Sequence, residues 1–288
     1  MTGSMLDLAG QFRLARRTQG YGGNCPACGY ADAFTVRMQA GRPVLHCFNG
    51  CNRNTLHATA RAALGSGWTP PPRPDAASVQ RNQQARQDRA QRLWRRSLSC
   101  PGTLAETYLA RRGISSVASS NALRFQPDCW HASGSRHPAL VAAVQDVAGA
   151  LVAVQRTYLT SDGRKAALDP ARATLGPVWR AAVQLDPCGP ELVVGEGMES
   201  TASAGQLLGL PAWAALSAGN LERGLVLPSS VRRVTIAVDH DPTGQRAAEA
   251  AAQRWRKEGR AVHLATPHRS GTDFNDLLQA RMVGVAHG

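Results

Sequence analysis

The 288-residue chain has almost no lysine: 31 of its 33 basic residues are arginine, and only Lys165 and Lys257 are lysines. It is also short of acids, with 20 Asp and Glu, which leaves a net charge of +13. That excess points to a polyanionic partner, nucleic acid first, although an arginine- and alanine-rich composition can also make a plain solvated surface. No apolar run approaches the roughly 18 residues of a membrane-spanning helix, so no membrane partner is expected. The opening segment MTGSMLDLAGQFRLARR lacks the apolar run of a signal peptide, so the expected location is cytoplasmic. No repeat of solenoid length is visible. In a reducing compartment the seven cysteines are metal ligands or free thiols rather than disulfide partners. A hydrophobic content of 43% is enough for real cores and excludes global disorder. The length fits two or three compact units.

Four segments can be read along the chain. Residues 1–64 hold an amphipathic lead-in over 1–20 and then four of the cysteines. Residues 65–80 begin GSGWTPPPRPDAA, a linker stiffened by its prolines. Residues 81–189 open with helical character, and Arg81 to Arg96 carries six arginines against one acid, Asp88. Within that segment PALVAAVQ and ALVAVQRTYL read as a hairpin around Asp146-Val147-Ala148-Gly149, and VWRAAVQL reads as a further strand. Residues 190–288 alternate strand and helix: ELVVGE, MESTASAGQLLGL, PAWAALS, RRVTIAVD, GQRAAEAAAQRWRKEG, RAVHLATP, DFNDLLQAR. The expected class is α/β, α+β overall, with a mostly parallel carboxy-terminal sheet.

Cys25-Pro-Ala-Cys28 and Cys47-Phe-Asn-Gly-Cys51 are two close pairs separated by 18 residues. Each pair can present two thiolates to one tetrahedral ion, and two strands around Gly41 connect them. This is a zinc-ribbon layout, with structural Zn²⁺ held by Cys25, Cys28, Cys47 and Cys51. His46 abuts the second pair and reads as a strand residue. Cys100, Cys129 and Cys188 have no partner at ligand spacing and read as ordinary small residues.

The acids gather at strand exits. Glu196 follows Leu192-Val193-Val194 between two glycines, Asp239 and Asp241 follow Val234 to Val238, and Asp273 and Asp276 follow the last strand. Ligand sites of parallel α/β sheets lie beyond the carboxyl ends of the strands. Carboxylates so close together repel, and Mg²⁺ or Mn²⁺ with oxygen ligands offsets the repulsion. Taken singly, each acid has a plainer reading: Asp-x-Asp as a turn or cap, Glu196 as a loop acid, Asp273 as the N-cap of the last helix.

Val194-Gly195-Glu196-Gly197 and Val238-Asp239-His240-Asp241-Pro242-Thr243-Gly244 resemble the two motifs of the Toprim domain, which topoisomerases, bacterial primases and some nucleases share. A zinc ribbon reading CPACG…HCFNGC ahead of it resembles the DnaG-type primase architecture, in particular the phage- and plasmid-borne proteins with a zinc finger and a Toprim domain. The resemblance covers roughly residues 20–64 and 100–280. It implies a DNA primase that transfers nucleotides onto a short primer. Glu196, Asp239 and Asp241 would hold Mg²⁺ or Mn²⁺, and Asp273 and Asp276 would form the later acidic motif. Arg156, Lys165 and Arg172 would face nucleotide or template. It implies single-stranded DNA and nucleoside triphosphates as partners, and a separate replicative helicase, because no Gly-x-x-x-x-Gly-Lys-Ser/Thr occurs in the chain. Phe48, Arg42 and Arg53 would contact template, with the linker letting the ribbon swing.

The chain departs from the family where an aspartate usually follows the Toprim glutamate by four positions. Ser200 stands there, with Glu199 one before it, so either Glu199 substitutes or a metal is held more weakly. Two rival functions share these features. One is a Toprim nuclease using the same acids, and the other is a non-catalytic DNA-binding accessory.

Overall fold

A computed structural model describes residues 5–39, 42–48, 50–65, 75–269 and 271–285. The chain forms two compact units, residues 1–79 and 80–288.

In the first unit, helix α1 (Met5–Gln11) precedes strands β1 (Ala15–Arg17), β2 (Gly20–Gly23), β3 (Phe34–Gln39) and β4 (Arg42–Cys47), and helix α2 (Arg53–Leu64) follows. The four strands form one antiparallel sheet in chain order. The lead-in expected over 1–20 is therefore an integral part of this unit. Leu8 and Leu14 are buried with Phe34, Val36, Leu45 and Leu56 in a single core. The sequence hid this because β1 is exposed along its whole length and has no apolar alternation. The turn expected around Gly41 lies outside the described residues, and so does 66–74 of the expected linker. Helix α2 is capped by Asn52, whose Oδ1 accepts from Thr55 N at 2.8 Å.

Helix α3 (Ala76–Arg96) follows, so the last residues of the expected linker are helical. It buries Ala90 and packs Leu93 and Trp94 on Val141 and Val154, which leaves most of its arginines in solvent. Beneath it lies an antiparallel sheet of β5 (Leu98–Ser99), β6 (Leu123–Trp130), β7 (Arg136–Gln145), β8 (Leu151–Tyr158) and β9 (Arg172–Leu175), in that order. Helix α4 (Leu104–Arg111) packs on the same unit. The β7–β8 hairpin turns where expected: Asp146 Oδ1 accepts from Ala148 N and Ala150 N, each at 2.9 Å, and Gly149 takes φ +84°.

The expected strand VWRAAVQL shrinks to β10 (Val183–Gln184). Arg180 sits at φ +69°, a left-handed conformation that no strand can carry, and it breaks the run. Beyond β10 come β11 (Glu191–Gly195), α5 (Met198–Leu208), β12 (Ala212–Ala214), β13 (Arg233–Ala237), α6 (Pro242–Lys257), β14 (Ala261–Ala265) and α7 (Phe274–Val285). The sheet order is β10-β12-β11-β13-β14, parallel throughout except for β10.

Helices cover both faces of this sheet, which is why Leu192, Val193 and Val194 are all apolar and all fully buried. Val193 packs with Met198 and Ala202 of α5 and Phe274 and Leu278 of α7. Leu192 and Val194 pack on the other side with Ala248, Ala251, Ala252 and Trp255 of α6. Those alanines recur at i, i+3 and i+4, the spacing of one helix face. The α5 and α7 side shares one continuous core with Leu123, Leu140 and Tyr108, so the antiparallel and parallel sheets form a single folded body.

Candidate acid centre and basic pole

Strand order reverses between β11 and β13, since β12 lies on one side of β11 and the chain then crosses to the other. The carboxyl ends of these two strands are neighbours, with Gly195 opposite Ala237. Glu196 leaves one end and Asp239 leaves the other, so the reversal builds a crevice lined by carboxylates. Two glycines make room for it. A Cβ on Gly195 would strike the Thr201 hydroxyl of α5, and one on Gly244 would lie 2.6 Å from the Asp239 carbonyl oxygen.

Glu196 and Asp239 are half-buried. Burial, then the charges of Asp239 and Asp241, push the Glu196 carboxyl up to about 7, against a hydrogen bond from the Ala218 amide. Asp239 is also raised, by burial and by Asp273 and Asp241, although a bond from Ser200 pulls it down. Four carboxylates thus feel one another. Among the described residues, no three of these acids bring their oxygens within 4.8 Å of one another. Their donor set is all oxygen, and the Ala218 amide and Ser200 hydroxyl offset their mutual repulsion only in part, which suits a hard divalent cation.

Asp241 caps α6, its Oδ1 accepting from Thr243 N at 2.8 Å and Gly244 N at 3.0 Å. Asp273 and Asp276 form a reciprocal cap on α7: Asp276 N donates to Asp273 Oδ1 at 2.9 Å, and Asp273 N to Asp276 Oδ2 at 3.1 Å. Asp273 also faces Asp239 electrostatically. The exposed Asp276 carboxylate turns back onto the helix end, so its place in the structure is that of a cap rather than a fifth wall of the crevice.

Ser200 and Glu199 point different ways because successive helical residues stand about 100° apart. Ser200 Oγ donates to Asp239 Oδ1 at 3.2 Å and accepts from Phe274 N at 3.3 Å, which joins β13, α5 and α7 at one hydroxyl. Glu199 is turned away from the crevice. It accepts from Tyr108 Oη at 2.6 Å and Arg172 at 2.8 Å, and it is itself buried. Glu199 therefore does not take the place of an acid at position 200.

The Arg172 guanidinium meets opposing pressures. Burial works against its charge, while Glu199 and Tyr108 outweigh burial and raise its pKa. Its Nε is buried without a hydrogen-bond partner, a free donor beside the ion pair. Lys165 lies in the same field. Burial, then Arg172, lower its pKa, and Glu199 partly restores it. Lys165 and Arg172 thus share a pole anchored through Glu199 to the helix that carries Ser200.

Arg156 is placed differently from expectation. It is buried on β8, donating to the carbonyls of Ala173 at 3.3 Å and Trp130 at 3.4 Å. It braces the antiparallel sheet from within, because the alternation of β8 turns it inward with Val154 and Tyr158.

In the first unit Cys25, Cys28, Cys47 and Cys51 place their sulfurs within 4.8 Å of one another. The Cys25–Cys51 and Cys28–Cys47 Sγ separations are 3.9 and 3.8 Å. A tetrahedral ion with bonds of about 2.3 Å spaces its sulfurs by about 3.8 Å, so the four fit Zn²⁺. Burial pushes the Cys25 thiol up to about 11 and raises Cys51 as well, so the thiolates need a cation to form. His46 is an exposed residue of β4 with its ring against Phe48, as its strand reading implied. Phe48 is exposed, and Arg53 donates to His57 at 3.1 Å.

Sequence reasoning missed Tyr108, Arg112 and Asn275. Asn275 is 1% exposed: its Nδ2 donates to Arg112 O at 2.6 Å and Ser203 Oγ at 3.0 Å, and its Oδ1 accepts from Arg112 at 3.2 Å. The signal existed in Phe274, Asn275 and Leu278, which share one face of α7.

Residues 191–283 match the Toprim domain family, and residues 84–185 match the family described as Domain of unknown function (DUF7146). The carboxy-terminal part of the chain is a Toprim domain. A four-cysteine unit precedes it in the chain. No curated protein matches the chain. Among solved structures it is similar to the DnaG catalytic core at 19% identity and TM-score 0.49, over 71% of this chain and 78% of that one. It is similar to the E. coli primase catalytic core at 19% identity and TM-score 0.47, over 69% and 75%. It is also similar to the primase fragment of the bacteriophage T7 primase-helicase protein at 14% identity and TM-score 0.42, over 93% and 98%.

Proposed function

We propose that this chain is a DNA primase, making short primers on single-stranded DNA by metal-dependent nucleotidyl transfer. The observation that carries the reading is a pair of opposite fields meeting at α5 of the Toprim domain: the carboxylates of Glu196, Asp239, Asp241 and Asp273, and the Lys165–Arg172 pole of the preceding segment, anchored to α5 through Glu199. Glu196, Asp239 and Asp241 would hold Mg²⁺ or Mn²⁺, which would supply neutralisation of triphosphate charge and activation of the attacking hydroxyl.

The protein's own residues do the rest. Ser200 fixes the Asp239 carboxylate against the start of α7. Asp273 adds negative field, with Asp276 holding it at the helix end. Arg172, oriented by Glu199, supplies positive charge for a phosphate, with Lys165 beside it. The four-cysteine unit binds structural Zn²⁺ and grips template through exposed groups such as Phe48. The arginines of α3 track the template backbone. The setting is cytoplasmic replication of a phage or plasmid, with a separate helicase opening the duplex.

Mixed single-stranded templates incubated with and without nucleoside triphosphates test this. The expected result is a short product that requires template, nucleotides and Mg²⁺. Shortening of the template without nucleotides would instead identify a nuclease.

A further inference from the structure

Trp179 is 53% exposed, although most large apolar side chains of its unit are buried. Its indole packs against Gly224: a Cβ there would come within 2.8 Å of ring atom Cε3 and 3.0 Å of Cδ2. The glycine makes a seat for the ring.

That seat is rigid and tied to the acid centre. Asn220, 2% exposed, accepts from Arg180 N at 3.0 Å and donates to the carbonyls of Ala181 at 2.9 Å and Ala215 at 2.8 Å. Those bonds fasten the Trp179–Ala181 turn to the segment after β12. The same segment engages Glu196, through Leu216 N to the Glu196 carbonyl at 2.8 Å and the Ala218 amide to its carboxylate. Arg180 at φ +69° and Leu216 at φ +68° are both left-handed without being glycine. Such residues are strained and persist where the surroundings over-determine them, often beside functional sites. Arginines adjoin the ring and its seat in the chain, Arg180 following Trp179 and Arg223 preceding Gly224. Arg180 is exposed, and Arg223 is 53% exposed with one acidic neighbour, Glu222, at 3.9 Å.

We propose that Trp179 is a stacking platform for a nucleobase of single-stranded nucleic acid, with Arg180 and Arg223 beside it for the flanking phosphates. A lone exposed aromatic ring with arginines next to it and to its seat in the chain suits a polyanion with flat faces, whereas a protein partner needs a wider apolar patch. Stacking is tolerant of sequence because every base has a π-face. Single-stranded nucleic acid is the ligand that the primer-synthesis reading supplies, and the test keeps the two separable by leaving out nucleotides and divalent cation.

Fluorescence anisotropy with labelled oligothymidylate compares wild type, Trp179→Ala and Trp179→Phe on the zinc-loaded full chain. Trp179→Ala should weaken binding about tenfold and Trp179→Phe at most about threefold, since the smaller ring still stacks. An abasic deoxyribose-phosphate oligomer of equal charge should bind all three alike. Unchanged oligothymidylate binding by Trp179→Ala, or an equal loss for both ligands, would overturn the platform. Either result is obtained without primer synthesis, so it leaves that reading standing.

Discussion

At the scale of the residue, Glu196 shows what burial does to a carboxyl that sits beside others. Its pKa rises from an ordinary 4.5 to about 7. A carboxyl whose folded-state pKa lies above its unfolded value costs stability as pH rises: the cost is absent below about pH 4.5 and complete above about pH 7. Glu196→Gln should therefore be more stable than wild type at pH 8 without divalent cations, by about 1–3 kcal/mol, and nearly equal to it at pH 4. Urea denaturation at the two pH values measures this, and an equal difference at both would deny the coupling. Under the proposed function saturating Mg²⁺ should shrink the gap at pH 8, because Glu196 would add a ligand for the cation that the variant lacks. Glu199 teaches a different lesson. Its sequence position beside Ser200 left open whether it served the metal. Its partners Tyr108 and Arg172 lie 91 and 27 residues away, so only the tertiary fold decides the matter.

At the scale of the element, the helix starts carry the site. Asp241 and Asp273 both cap helices and face the crevice, so the cap and the metal readings of these acids are compatible rather than exclusive. Asp276 separates the two roles. Asp276→Ala should cost about 0.5–2 kcal/mol of stability through the lost cap and leave Mn²⁺ affinity within about twofold. Titration calorimetry and thermal denaturation of one preparation give both numbers. A loss of Mn²⁺ affinity comparable to that of Asp239→Ala would restore Asp276 to the acid centre. The elements legible in the sequence are those with a single dominant period. These are the apolar runs of β11 and β13, the alanine face of α6, and the β7–β8 hairpin. Those that escaped it are β1, which has no buried side, and the segment ending in β10, where Arg180 interrupts a run that is apolar on paper. Asn275 escaped because polar residues in a first turn ordinarily read as caps, whereas this one turns inward.

At the scale of the whole molecule, the four cysteines were fully legible because their chemistry depends on local spacing. The acid centre was legible because parallel strands deliver their exits to one edge. The basic pole was legible only in part: Lys165 and Arg172 meet there, while Arg156 is absorbed by the sheet. The two units have separate cores. Removing the metal with a strong chelator should therefore expose the amides of residues 5–65 to hydrogen exchange and leave those of 80–285 protected. Loss of protection in both units together would contradict separate cores. The +13 charge is also unevenly spread, with arginines along α3 and carboxylates gathered at one crevice.

The central claim is that this crevice makes primers, and Asp239 is the residue to remove. On single-stranded template with nucleoside triphosphates and Mg²⁺, the wild-type chain should yield short products. Asp239→Ala should lose at least about a hundredfold in rate, the order expected when a metal ligand's contribution to phosphoryl transfer is removed, with zinc content unchanged and the chain still folded. Undiminished synthesis by a folded, zinc-loaded Asp239→Ala chain would contradict the account.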